Sequence, residues 1–289
     1  MTTFEENITA IYGAKGQQWL TNLPHLVARL ASTWRLTHLQ PFENLTYNHV
    51  LQGIQGALPI VLKLSLDPTS LHQEIAALQA FSGFGAVDVV VQSEGALLLS
   101  RACPGKSLKQ SFPIHDIRTT HVALDVMMRL HQAPLPDTSH FLSIAGRLAA
   151  LDQDVAISKP FLIKARTLRD QLLATATKPV LLHGDLHHDN ILSHKGGWIA
   201  IDPKGVVGES AYEVATFVHN PIPELLHETD VRPLIAERIK VFSHALCIDE
   251  SRLYQWCFVQ AVLAWVWAIE DGTDPSYFQN ITRLFDRTI

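Results

Sequence analysis

Cysteine is scarce in this chain. Cys103, Cys247 and Cys257 are the only three among 289 residues, and they form neither a CxxC pair nor an even framework. That excludes a disulfide-stapled fold and points to reduced thiols in a cytoplasmic protein. Long hydrophobic runs are lacking too. The most apolar stretch, Leu253 to Ile269, carries Gln255 and Gln260 and is flanked by Arg252 and Glu270, so it reads as a buried core helix rather than a membrane span. The start, Met1-Thr2-Thr3-Phe4-Glu5-Glu6, lacks the basic and apolar regions of a signal peptide. No long basic stripe occurs and the net charge is -5, which argues against nucleic acid as a partner. There is no Walker A loop. Gly13-Ala14-Lys15-Gly16 has neither the GxxxxGK[ST] spacing nor a strand pattern before it. HExxH, internal repeats and low-complexity tracts are absent as well.

What is present is a chain that is 47% hydrophobic, ample for one large domain or two lobes. Trp19, Leu20, Leu23, Leu26, Val27 and Leu30 recur near a period of 3.6 and predict a helix over 17–33. Two β-prone runs follow, 46–52 and 58–66, separated by Gly53-Ile54-Gln55-Gly56. A helix is expected from Leu71 to Leu78 after Pro68-Thr69-Ser70, then strands over 87–92 and 96–100. Arg101-Ala102-Cys103-Pro104-Gly105 is a breaker-rich connector. Beyond it the chain reads as helical over 114–132, 139–151, 160–175, 209–219, 230–246, 249–270 and 274–287. A β island interrupts this series at 180–192 and 197–201. The expected fold class is α+β: a small mixed lobe over 1–101, a hinge near 100–105, and a larger, mainly helical lobe over 102–289.

The chemistry is concentrated in that island. His183-Gly184-Asp185-Leu186-His187-His188-Asp189-Asn190 is followed by Asp202, twelve residues after Asn190. An acid, an amide five residues on and a second acid on the next strand can divide the work of a phosphotransferase. Asp185 would accept or orient a hydroxyl proton, and Asn190 and Asp202 would hold magnesium, which prefers hard oxygen ligands. Lys63 lies in the apolar strand Ile60-Val61-Leu62-Lys63-Leu64, and Glu74 follows eleven residues later on the next helix. Singly, each would be an exposed charge; together they can form an ion pair that aims an ammonium at phosphates. His183 is expected to prop the loop, and His187 and His188 to be partly exposed loop residues. Two other readings remain. One is a transition-metal hydrolase cluster built from His183, Asp185, His187, His188, Asp189 and Asp202. The other is a nucleotide-binding pseudokinase.

The run from His183 to Asn190 resembles the HGDxxxxN loop of the aminoglycoside phosphotransferase and choline kinase group, which has a bilobal protein-kinase-like fold. Asp202-Pro203-Lys204-Gly205-Val206-Val207-Gly208-Glu209, the segment Ala211-Tyr212-Glu213-Val214-Ala215, the pair His187-His188 and the early Trp19-Leu20 with Leu23-Pro24 are similar to its streptomycin 6-kinase and hydroxyurea-resistance kinase branch. The resemblance implies ATP and Mg2+ as cofactors. It makes Asp185 the catalytic base, Asn190 and Asp202 the metal ligands, and Lys63, steadied by Glu74, a contact to the α/β phosphates. Segment 99–102, with Ser100 and Ala102, becomes the hinge against adenine. The acceptor would be a hydroxyl of a small molecule, streptomycin-like by resemblance, with an endogenous sugar or amino alcohol as the rival.

Three departures stand out. The loop Gln40-Pro41-Phe42-Glu43-Asn44-Leu45 has no glycine, so phosphate cover falls to a residue such as Asn44 or Thr46. Asp189 occupies a place where a small residue is expected. Lys204 follows Asp202 in the stretch where many protein kinases have the Phe-Gly of DFG, and would meet either the transferring phosphate or Glu209. A cationic acceptor would want carboxylates, for which Asp189, Glu209, Glu213, Glu270, Asp271 and Asp274 are candidates. Oligomeric state is not legible.

Overall fold

A computed structural model describes residues 3–43 and 45–287. The chain opens with α1 (Thr3–Trp34), followed by β1 (Leu36–Pro41), β2 (His49–Gln55), β3 (Leu58–Leu64), α2 (Pro68–Ala80), β4 (Val89–Ser93) and β5 (Ala96–Ser100). These strands form one antiparallel sheet of order β1-β2-β3-β5-β4. The first helix starts well before residue 17. Gly13 kinks it (φ 55°, ψ -132°). Gly16 is a packing position: a Cβ there would sit 2.5 Å from the Ile8 carbonyl oxygen. Strand β1 had no signal because it is an edge strand on which only Leu36 is buried.

Side-chain alternation along the two central strands explains how the sheet is covered. Ile60, Leu62 and Leu64 on β3, with Ala96 and Leu98 on β5, pack with Phe4, Ile8, Leu23 and Leu30 of α1. The intervening residues Leu97 and Leu99 belong to the larger core, with Leu71, Ile75 and Leu78 of α2. Period-2 geometry therefore puts Lys63 on the α2 side of the sheet. Asp67 caps α2, its Oδ1 accepting from the backbone N–H groups of Thr69 and Ser70.

After the connector come β6 (Pro104–Ser107), α3 (Asp116–Leu130), β7 (Leu142–Ser143), α4 (Ile144–Leu148) and α5 (Lys159–Ala174). The helix expected over 139–151 is broken into a 3-10 turn, β7, the short α4 and another 3-10 turn. The Ser143 hydroxyl accepts from the Gly146 N–H and starts a new helix there. The island is β8 (Val180–Leu182), β9 (Ile191–His194), β10 (Gly197–Ala200) and β11 (Val206–Gly208). It forms two small sheets, β10-β9-β6 and β7-β11-β8. Helices α6 (Ser210–Val218), α7 (Arg232–Leu246), α8 (Glu250–Glu270) and α9 (Ser276–Asp286) complete the fold. As expected, α8 is a core helix, with Trp256, Phe258 and Val262 fully buried. No helix among the described residues is long and apolar enough to cross a membrane. Two backbone bonds, Val87 N–H to Ala200 O (3.0 Å) and Ala200 N–H to Gly85 O (2.8 Å), stitch the segment between α2 and β4 to β10.

Candidate active site

A cleft of 480 Å³ lies between the five-stranded sheet and the island. Val61, Val87, Leu99, Leu192 and Ile201 are among its apolar walls, and Lys63, Glu74, Asn190 and Asp202 are all at its surface. Lys63 is only 8% exposed, so it is not a surface lysine. Its ammonium lies 2.6 Å from Glu74 Oε2 and 2.7 Å from Asp202 Oδ1. Glu74 meets it because position 74 projects from α2 toward the same face of the sheet. Burial opposes the charge on Lys63, yet the two carboxylates outweigh it and raise its pKa. Burial likewise opposes ionisation of Asp202, but Lys63 and Lys204 hold its carboxyl well below the usual aspartate range.

The loop from His183 to Asn190 hangs from its own buried polar scaffold. Glu213 on α6 accepts from the backbone N–H of His183 (2.6 Å) and of Gly184 (2.9 Å). His183 lies with Nε2 2.9 Å from the Ile201 carbonyl, while Nδ1 accepts from the Asp185 N–H (3.2 Å). One neutral tautomer, protonated at Nε2, satisfies both contacts, and burial lowers the pKa of His183 accordingly. The Asn190 amide nitrogen donates to the Asp185 carbonyl (2.9 Å) and lies 3.4 Å from Asp185 Oδ2. That commits the nitrogen and leaves Oδ1 as the amide atom that could face a cation. Asp202 has φ 59°, a left-handed conformation that aspartate tolerates. Just beyond it, the backbone N–H groups of Lys204 and Gly205 both donate to the His183 carbonyl (2.7 and 3.2 Å). The two segments are thus fixed to each other.

This donor set suits a hard divalent cation: one carboxylate and one amide oxygen at the mouth of a cleft, with room for waters. It does not suit a histidine-rich metal cluster. Among the described residues no group of three or more His, Cys, Asp or Glu side chains could hold a metal ion. His183 is spent on backbone contacts. His188 is not a partly exposed loop residue either: it is fully buried, its ring stacked on Phe217 at 4.1 Å, and neither ring nitrogen has a hydrogen-bond partner among the described residues.

Several expected site residues have other work. Glu213 is fully enclosed and is the buttress of the loop, not a substrate contact. Glu209 is 3% exposed; it binds Arg252 (2.7 Å) and the indole N–H of Trp256 (2.5 Å), which ties α6 to α8. It is therefore neither a substrate carboxylate nor the partner of Lys204, whose ammonium reaches Asp202 Oδ2 at 3.0 Å. Glu270 and Asp271 are exposed at the C-terminal end of α8 and, like Asp185 and Asp189, lie outside the lining of this cleft. Asp189 does lie beside the loop, half exposed, accepting from the Ser107 hydroxyl (3.1 Å) and 3.7 Å from Lys109. In the connector, Ser100 and Arg101 spend their N–H groups on the carbonyls of Asp88 (2.9 Å) and Pro59 (3.0 Å). Both line the cleft, as does Ala102. Ser100 thus offers no backbone donor there. Thr46 and Asn48 line the cleft near the glycine-free loop; Asn44 lies outside the described residues. Asn48 had no motif to announce it. Val61 could have been found from its place two residues before Lys63 on the same strand face.

Residues 46–272 match the family described as aminoglycoside/hydroxyurea antibiotic resistance kinase. The chain belongs to this family. It is 31% identical over 252 residues to the streptomycin 3''-kinase of Klebsiella pneumoniae, covering 83% of this chain and 91% of that one. Identity to the streptomycin 6-kinase of Streptomyces glaucescens is 27% over 280 residues, covering 92% and 90%. The fold is shared with the amicoumacin kinase hAmiN, solved with AMP-PNP, Ca2+ and Ami, at TM-score 0.67 and 14% identity over 98% of this chain and 94% of that one. The family kinase reading thus joins a bilobal, kinase-like fold to small-molecule phosphotransferase activity.

The buried histidines give this kinase a defined acid sensitivity. Burial lowers the pKa of His183 and His188, and pushes His219 down to about 3. Unfolded histidines take up protons near pH 6.5. Below that pH the unfolded state binds more protons than the folded one, so stability falls as pH falls. The expected loss is roughly 1 kcal/mol per histidine between pH 6.5 and 5.5. His188→Phe keeps the stack on Phe217 and removes one such ring. Urea melts should show its midpoint falling less than that of the wild type over this interval; equal slopes would mean that His188 is protonated inside the fold.

Proposed function

We propose that this kinase transfers the γ-phosphoryl group of ATP to a hydroxyl of a streptomycin-like aminocyclitol in the cytoplasm. The observation that carries the reading is the placement of Lys63 between Glu74 and Asp202, with Asn190, on the wall of the same cleft, tied to Asp185 within its own loop. We assign residues 1–101 to the nucleotide lobe and 102–289 to the catalytic and acceptor lobe. Adenine would lie between Val61, Val87, Leu192 and Ile201, with Ala102 offering the main-chain donor that Ser100 and Arg101 cannot. Lys63 would meet the α/β phosphates. Asn190 and Asp202 would hold Mg2+, which, when bound, neutralises phosphate charge. The solved neighbour that holds an ATP analogue and calcium supports a nucleotide–metal pair in this fold.

Asp185 would orient the acceptor hydroxyl and take its proton as the alcohol oxygen attacks the γ-phosphorus in line. Glu213 and His183 act only by holding the loop. The half-exposed Asp189 is the carboxylate beside the loop that suits a cationic acceptor. That two relatives are streptomycin kinases supports the acceptor class.

The test is ADP release with ATP and Mg2+ across streptomycin, other aminocyclitols, sugars and amino alcohols. The expected result is release that depends on streptomycin. Release driven instead by a sugar or amino alcohol would keep the chemistry and replace the substrate. ATP binding without release on any acceptor would favour a pseudokinase and overturn the proposal.

A further inference from the structure

Both carboxylate oxygens of Asp202 are taken by ammonium groups: Oδ1 by Lys63 at 2.7 Å and Oδ2 by Lys204 at 3.0 Å. The two lysines are not equivalent. Lys63 is buried and also gripped by Glu74, so it has little freedom to leave. Lys204 keeps 44% of its side-chain surface exposed. Its root, by contrast, is fixed, because its backbone N–H donates to the His183 carbonyl at 2.7 Å. A Cβ at Gly184, next to Asp185, would lie only 3.4 Å from the Lys204 Cβ. A flexible cation is thus rooted between the proposed base and the proposed metal ligand.

We propose that Lys204 is a two-position residue: it neutralises Asp202 while no metal is bound, and moves to the transferring phosphoryl group once Asp202 gives Oδ2 to a divalent cation. This rests on the reading of Asp202 as a metal ligand. An ammonium 3.0 Å from Oδ2 and a divalent cation held by the same carboxylate would repel each other, which favours departure of the exposed lysine. Displaced, Lys204 is drawn by its charge toward the γ-phosphoryl oxygens, the anion that the nucleotide brings. In the transfer, a bond forms from the acceptor oxygen to the γ-phosphorus. The bond to the β-bridging oxygen breaks and its electron pair stays on ADP. The alcohol proton goes to Asp185. Lys204 stabilises the charge on the equatorial oxygens throughout.

The experiment compares the wild type, Lys204→Met, Lys204→Arg and Asp202→Asn. Binding of Mn2+ is read from the spin-resonance signal of the free ion, once with ADP and once with AMP-PNP. Without a γ-phosphate Lys204 only competes with the metal, so K204M should bind Mn2+ about 2- to 5-fold tighter with ADP, the size of one exposed charge pair. With AMP-PNP that advantage should vanish, because the wild-type lysine then has a phosphate to meet. Turnover should fall about 10²-fold in K204M and recover in part in K204R. Unchanged or weaker Mn2+ binding with ADP, an equal gain with both nucleotides, or undiminished turnover would each overturn the proposal. If D202N binds Mn2+ as the wild type does, the reading of Asp202 itself has failed, a result distinct from any K204M outcome.

Discussion

Asp185→Asn should remove nearly all turnover, by about 10²- to 10⁴-fold in kcat, while leaving the fold and nucleotide affinity in place. The asymmetry follows from the surroundings of the side chain. About a third of it is exposed, and its contacts are a long one to the Asn190 amide, 3.4 Å, and His187 Nε2 at 3.8 Å. An amide of the same shape fits there without leaving a buried charge or an orphaned donor. The backbone of residue 185 is held by other groups, the His183 ring and the Asn190 side chain. What the amide cannot do is take a proton from an attacking alcohol. Steady-state ADP release, a thermal melt and a nucleotide titration on the same preparation check all three parts. Turnover within a few-fold of the wild type would show that Asp185 is not the base.

The largest effect on stability is expected far from the phosphates, at Arg238. This residue on α7 has no exposed surface and binds Asp116 through two bonds, 2.5 and 2.9 Å. It also donates to the carbonyls of Val218 (3.2 Å) and Asn220 (2.5 Å), and its guanidinium lies over the rings of Phe112 and Phe217. Arg238→Met would leave the buried Asp116 carboxylate unpaired and the carbonyls at the end of α6 without a donor. The expected cost is about 3–5 kcal/mol. The effect reaches the active loop because Phe217 carries His188 on its face. Replacing both partners, as Asp116→Leu with Arg238→Met, should be milder than the single change, since no uncompensated charge then remains. Urea midpoints for the single and double variants decide it. A double variant as unstable as R238M would mean that the carbonyl contacts, rather than the ion pair, dominate.

Neither of those two residues stood out equally in the sequence, and the contrast explains what was legible. Asp185, Asn190 and Asp202 are close along the chain, and their order alone encodes a division of labour. Lys63 and Glu74 were legible because a strand and the next helix are also local, and an alternating strand fixes which face a residue takes. Asp116 and Arg238 are 122 residues apart, so no local spacing could pair them. The same holds for Glu209 with Arg252 and for Lys109, which bridges Asp189 (3.7 Å) and Glu224 (2.9 Å).

By itself, then, the sequence determined which residues would carry the proposed chemistry, Asp185, Asn190, Asp202 and Lys63, and the type of most of the elements that hold them. Only the tertiary structure decided which carboxylates face the cleft and which are buried in scaffolding. Glu213, Glu209 and Asp189 are alike as formulae. The first anchors backbone N–H groups, the second an arginine and an indole, and only the third stays half in water. A carboxylate's role is set by the donors that surround it, and those donors arrive from helices and strands distant in sequence, through packing that no local pattern records.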